Sequence, residues 1–123
     1  NLALKNNPIK IFGEGNQTRC FTYVEDVADG VLKVFDKGKA GEAYNIGNNQ
    51  PTTILELAQI VKEVTGSKSE IIKVGFGKAT RLKEREIEYR IPDISKIKTL
   101  GWEPKTSVRD GIMKMLEHIK KQN

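Results

Sequence analysis

Arg19 is the side chain of this sequence best placed to hold a ligand. It lies in Gly13-Glu14-Gly15-Asn16-Gln17-Thr18-Arg19-Cys20-Phe21-Thr22-Tyr23-Val24-Glu25-Asp26-Val27, which joins a Gly-x-Gly turn to a helix start. Alternation over 19–24 puts Arg19, Phe21 and Tyr23 on one strand face and Cys20, Thr22 and Val24 on the other. A guanidinium among rings is poorly solvated and suits an anion; the plainer reading is a surface arginine laying its stem over aromatic rings. Arg85 shares a second apolar face with Ile87, Tyr89 and Ile91, and Arg81 is its neighbour. Guanidinium forks match phosphate oxygens bidentately, so Arg19 with Arg85 or Arg81 suits a diphosphate better than a single carboxylate.

Other chemistries lack their parts. The sole histidine, His118, falls in the last helical stretch with no serine or cysteine motif tied to it, and reads as surface. One cysteine and one histidine make no metal site without a carboxylate cluster, and Glu84, Glu86 and Glu88 alternate as a solvated edge does, so no metal is expected. Gly13-Glu14-Gly15 and Gly75-Phe76-Gly77 are too short for a dinucleotide or P-loop turn, since neither opens a helix. No catalytic residue is expected in this chain.

The positioning elements follow from periodicity. Pro8–Phe12 reads as a strand ending at Gly13. Asp26 reads as the N-cap of a helix over 27–36, with Val27, Ala28, Val31, Leu32, Val34 and Phe35 as its buried face. Ala43–Asn48 reads as a short β-type segment, and Thr53 with Glu56 as a capping box opening a helix that Gly66 ends. Glu70–Phe76 reads as a strand, and alternation predicts another from Arg85 to Ile91. Asp93 caps a short helix ending at Gly101, and Ser107 caps a last helix with Val108, Ile112, Met115, Leu116 and Ile119 as its stripe. The expected architecture is α/β, with short strands and about four helices.

With 123 residues, 37% hydrophobic and 30% charged, the chain can bury one ordinary core. A single cysteine excludes an internal disulfide and points to a reducing, cytoplasmic setting. No apolar run reaches the roughly 18 residues of a membrane span. The opening Asn1-Leu2-Ala3-Leu4-Lys5 reads as the end of a helix and predicts a piece of a longer protein. Of the net charge of +5, residues 51–123 hold fifteen basic and ten acidic side chains, against six of each before them. That balance suits an anionic ligand, or solubility alone. A basic interaction or nucleic-acid module is the competing class, though it rests on charge alone, with no sheet signature or recognition helix. A third possibility is a scaffold whose helices dock on an absent domain and which exposes an apolar patch when separate.

Six segments, in order, carry a resemblance: Pro8-Ile9-Lys10-Ile11-Phe12-Gly13-Glu14-Gly15, Gln17-Thr18-Arg19, Tyr23-Val24-Glu25-Asp26-Val27, Tyr44-Asn45-Ile46-Gly47, Arg90-Ile91-Pro92-Asp93-Ile94-Ser95-Lys96 and Leu100-Gly101-Trp102-Glu103-Pro104. Together they resemble the C-terminal, substrate-binding part of extended short-chain dehydrogenase/reductases, the NAD-dependent sugar-nucleotide epimerases and dehydratases. The resemblance implies that residues 1–123 form a sugar-nucleotide-binding C-terminal domain cut from a Rossmann-fold parent. By the same resemblance Arg19 meets the diphosphate, Gln17 lies beside it, Tyr23 belongs to the site, and Arg81 or Arg85 supplies a further cation, alternation favouring Arg85. Asp26 is implied to be structural.

The resemblance also implies partners: a nucleoside-diphosphate sugar, most often a UDP-sugar, and an N-terminal Rossmann domain that holds NAD, in a dimeric parent. UDP-glucose epimerases and UDP-glucuronate decarboxylases are the branches it is most like, a dTDP-glucose dehydratase-type parent being an alternative. The family's Gly-x-x-Gly-x-x-Gly turn and Tyr-x-x-x-Lys pair are absent, since Tyr23, Tyr44 and Tyr89 are followed four positions on by Val27, Asn48 and Asp93. Alone, the chain is expected to be inactive.

Overall fold

The computed structural model describes residues 1–75 and 87–122. A 3-10 turn, Ala3–Lys5, precedes strand β1 (Ile9–Phe12) and the two-residue β2 (Thr18–Arg19). Helix α1 (Val24–Lys37), strand β3 (Thr52–Thr53), helix α2 (Ile54–Thr65), strand β4 (Ile71–Val74), and helices α3 (Ser95–Lys98) and α4 (Val108–Gln122) complete the described order. β1 and β4 pair in parallel, Ile9 opposite Ile71 and Phe12 opposite Val74. β2 and β3 pair antiparallel, Thr18 opposite Thr53 and Arg19 opposite Thr52. The α/β character and the short strands are as expected, and four helices are present among the described residues.

Local cap chemistry sets most boundaries. Thr53 Oγ1 accepts the Glu56 amide at 3.1 Å while Glu56 Oε2 accepts the Thr53 amide at 2.8 Å, closing the capping box. Gly66, in the left-handed region at φ 63, ends α2. Ser107 Oγ accepts the Asp110 amide at the start of α4, and Asp93 accepts the Ser95 amide at the start of α3.

The Thr53 backbone and hydroxyl bonds hold the Glu56 carboxyl below its ordinary value. A carboxyl depressed in the folded state stabilises above its unfolded value, near 4.3, and loses that contribution as pH falls through the folded value. Loss of the N-cap hydroxyl in Thr53→Ala is expected to cost about 1 kcal/mol. It is also expected to flatten the loss of helix stability below about pH 4.3. Urea unfolding followed by far-UV circular dichroism across that range measures both; equal acid slopes in the two proteins would refute the coupling.

Three sequence readings change. The strand expected over 19–24 ends at Arg19, and α1 starts at Val24 with Tyr23 as N-cap. Asp26 therefore lies inside the first turn and caps a different segment: its Oδ2 accepts the Lys105 and Thr106 amides at 3.2 and 2.9 Å. A buried carboxylate with two backbone donors is the stable alternative to a helix cap, and it ties the approach to α4 onto α1. Segments 43–48 and 87–91 enter no ladder among the described residues, and Arg85 and Glu86 lie outside them.

The core lies between α1 and α3. Ile94, Ile97 and Trp102 are buried, with Val34, Tyr44, Ile46 and Leu100 packed against them. Trp102 Nε1 donates to the Asp26 carbonyl at 3.1 Å. Gly30 permits this approach, because a Cβ there would lie 2.6 Å from Ile46 Cγ2 and 3.0 Å from the Trp102 ring. α4 packs on α2 with Ile112 buried, and an Arg109–Glu63 ion pair bridges the two helices. Met115, expected in the buried stripe of α4, is exposed.

Candidate functional site

The site is built where β1 turns into β2. Gly13 and Gly15 both take positive φ, and the turn between them leads into β2 rather than into a helix. The Gly15 carbonyl accepts the Leu55 amide at 3.0 Å and the Gln17 carbonyl accepts the Ile54 amide at 3.1 Å. With Thr53 on the Glu56 amide, these carbonyls fill the N-terminus of α2, leaving it no cradle for a cofactor phosphate. The residues here do not fit a dinucleotide, and no step of chemistry is assigned to one in this chain. Gln17 Nε2 also donates to the Phe12 carbonyl at 3.2 Å, closing the turn.

Arg19 is half-buried at the end of β2. Its Nη1 donates to the Thr18 carbonyl at 2.7 Å and to the Ile87 carbonyl at 2.8 Å. The Thr18 amide and hydroxyl both donate to the Glu88 carbonyl, at 2.8 and 3.2 Å. The free side of β2 thus holds segment 87–88 by side chains and backbone together. Thr18 is a residue that sequence reasoning did not single out; its place beside Arg19 in Gln17-Thr18-Arg19 was the available signal.

The other expected residues are placed as follows. Gln17 and Arg19 share the turn and β2. Tyr23 turns to α4, with its ring against Gly111 and the Lys114 ammonium 4.7 Å from its centroid. Glu25 accepts from Lys114 at 3.2 Å, and this bond holds the Lys114 ammonium above the ordinary lysine value. Arg81 and Arg85 lie outside the described residues. Burial pushes the Cys20 thiol up, away from the thiolate a nucleophile needs. His118 is exposed on α4, its Nε2 2.8 Å from Gln122 Nε2. Among the described residues no cluster of three metal-ligating side chains occurs, and no helix is long and apolar enough to cross a membrane. An open groove of about 490 Å³, lined by Gln59, Lys62, Glu63, Gly66, Ser67 and Ile71, involves none of the expected site residues.

Segments that are separate in sequence meet here. Asn45 Nδ2 donates to the Asp93 carbonyl at 2.9 Å, joining Tyr44-Asn45-Ile46-Gly47 to Pro92-Asp93-Ile94-Ser95. Trp102 and Asp26 join Leu100-Gly101-Trp102 to Tyr23-Val24-Glu25-Asp26. Thr22 Oγ1 accepts the amide of buried Asn48 at 2.8 Å, fastening the chain just after Arg19 to the residue following Gly47.

Fold and site together define an α/β unit that forms part of a Rossmann-like epimerase/dehydratase fold. The chain belongs to the GDP-mannose 4,6 dehydratase family, whose model matches residues 1–115. It is 34% identical over 116 residues to a UDP-N-acetyl-alpha-D-glucosaminuronate decarboxylase of Bacillus cytotoxicus, covering 94% of this chain and 36% of that protein. Among solved structures it is similar to the UDP-glucose 4-epimerase of Thermotoga maritima with UDP-glucose, at TM-score 0.85 and 33% identity over 98% of this chain and 37% of that one. It is also similar to the UDP-glucuronic acid 4-epimerase of Bacillus cereus in complex with UDP-glucuronic acid and NAD, at TM-score 0.81 and 29% identity over 99% and 38%. The chain thus spans little more than a third of the length of these relatives.

Proposed function

We propose that residues 1–123 are the C-terminal, sugar-nucleotide-binding domain of an NAD-dependent epimerase, decarboxylase or dehydratase, with Arg19 on the ligand diphosphate. The observation that carries this reading is the fixing of Arg19: β2, the capped start of α2 and segment 87–88 hold one guanidinium in place. The carbonyl it grips belongs to Ile87, two positions along the chain from Arg85, which is the second candidate for phosphate, with Arg81 as the alternative. Gln17 supports the turn beside Arg19, and Tyr23 acts at one remove by setting the start of α1 against α4.

UDP is the preferred nucleotide, the relatives above being enzymes of UDP-sugars. NAD and the catalytic groups belong to an N-terminal portion, in a cytoplasmic homodimeric parent. This domain contributes by positioning, since holding the diphosphate aims the sugar at the reacting centre.

Calorimetric titration of the protein with UDP, and with uridine as control, tests the reading. UDP is expected to bind and uridine not. A charge-assisted hydrogen bond contributes about 1.5–3 kcal/mol, so Arg19→Ala in the enzyme is expected to raise KM for the sugar nucleotide roughly 10-fold to 100-fold. Unchanged kinetics would remove Arg19 from the site.

A further inference from the structure

Thr18 and Arg19 hold two successive carbonyls of one segment. The Thr18 amide and hydroxyl both donate to the Glu88 carbonyl, at 2.8 and 3.2 Å, and Arg19 Nη1 donates to the Ile87 carbonyl at 2.8 Å. A carbonyl oxygen has two lone pairs, so Thr18 by itself satisfies the Glu88 acceptor. The Ile87 carbonyl belongs to the planar peptide that leads into Glu88, and holding Glu88 therefore limits how far that carbonyl can swing.

The consequence falls on the guanidinium. Nη1 carries two N–H groups, one directed at the Thr18 carbonyl at 2.7 Å and the other at the Ile87 carbonyl. The fork is planar and rigid, so two anchored acceptors fix its plane and the direction of the donors on Nε and Nη2. The Thr18 carbonyl is set by β2, whose partner β3 runs into the capped start of α2. Segment 87–91 enters no ladder among the described residues, and the place of the Ile87 carbonyl depends on the clasp at Glu88. We propose that Thr18 is a positioning residue for the diphosphate: its hydroxyl steadies the Glu88 carbonyl, this keeps the Ile87 carbonyl under Nη1, and the Arg19 fork is thereby held in one orientation before the ligand arrives. The inference rests on the reading of Arg19 above.

UDP titration of the full-length protein tests it. Thr18→Val keeps the backbone amide and the β-branched shape and removes the hydroxyl, and Thr18→Ala stands in should that variant fail to fold. One hydrogen bond is at stake, so the dissociation constant is expected to rise about 2-fold to 10-fold, and Thr18→Ser is expected to restore it. In an Arg19→Ala background Thr18→Val is expected to change nothing further, because the hydroxyl acts through the guanidinium. An unchanged constant, an equal loss in both backgrounds, or a Thr18→Ser variant as weak as Thr18→Val would overturn the proposal and leave Arg19 on the diphosphate. UDP binding that Arg19→Ala does not weaken would overturn the diphosphate reading itself, and the role of Thr18 with it.

Discussion

Trp102→Ala is expected to destabilise the protein by about 3–5 kcal/mol, the range for deleting a fully buried large aromatic. Trp102 is 2% exposed, and its ring closes the seam between α1 and α3 by lying over Gly30 and beside Ile94 and Ile97. Few contacts can collapse into the space, because Gly30 has no side chain to offer and Ile97 is already fully buried. The substitution also removes the indole donor to the Asp26 carbonyl, and so loosens the turn whose carboxylate holds the Lys105 and Thr106 amides. Trp102 is the only tryptophan, so guanidinium unfolding should be followed by circular dichroism rather than fluorescence. A loss below about 1 kcal/mol would mean that this seam is not the core.

Gly15→Ala is expected to be the second large effect. At φ +80 an L-residue pays about 1–2 kcal/mol of backbone strain. Its Cβ would also lie 2.8 Å from Ile11 Cδ1 and 3.1 Å from Leu55 Cβ, an overpacking that costs about 1–3 kcal/mol more. Gly66→Ala separates the two causes, since Gly66 has φ +63 but open space around it and should show the strain alone. Equal losses at both positions would refute the steric part. The carbonyls of Gly15 and Gln17 receive the first amides of α2, so forcing Gly15 outward also shifts β2. If Arg19 on β2 has the proposed diphosphate role, KM of the parent enzyme for the sugar nucleotide is expected to rise with the loss of stability.

Local chemistry was legible in the sequence and tertiary choice was not. Thr53 with Glu56, Gly66 and Ser107 mark their boundaries correctly, because a cap depends on a few adjacent residues, whereas α3 ends at Lys98 and not at the expected Gly101. Asp26 stands where an N-cap would stand, but its partners are the amides of Lys105 and Thr106, far along the chain, and no local pattern reveals them. Alternation of Phe21 and Tyr23 with Thr22 imitates a strand, yet Tyr23 already serves α1.

Of the apolar face expected to be buried on α1, Val34 packs on the core cluster, whereas Ala28, Val31, Leu32 and Phe35 are exposed. A helix with two apolar faces gives one periodic signal, and the small residue at Gly30 hides the face that packs. For the candidate site, the sequence located Gln17 and Arg19 together and missed Thr18 and the Ile87 and Glu88 carbonyls, since backbone acceptors leave no trace in residue type.

The parallel pairing of β1 with β4 dictates an order of assembly. Among the described residues Ile9 pairs with Ile71 alone, so during synthesis β1 waits for this partner while β2, α1, β3 and α2 emerge. The first strand of this chain is thus among the last to be secured, since distant pairings pay their closure entropy before they gain contacts. During that wait Ile11, which is buried in the folded chain, and the edge of β1 that later meets β4 stay open to neighbours, an aggregation hazard that the closing of this pair removes.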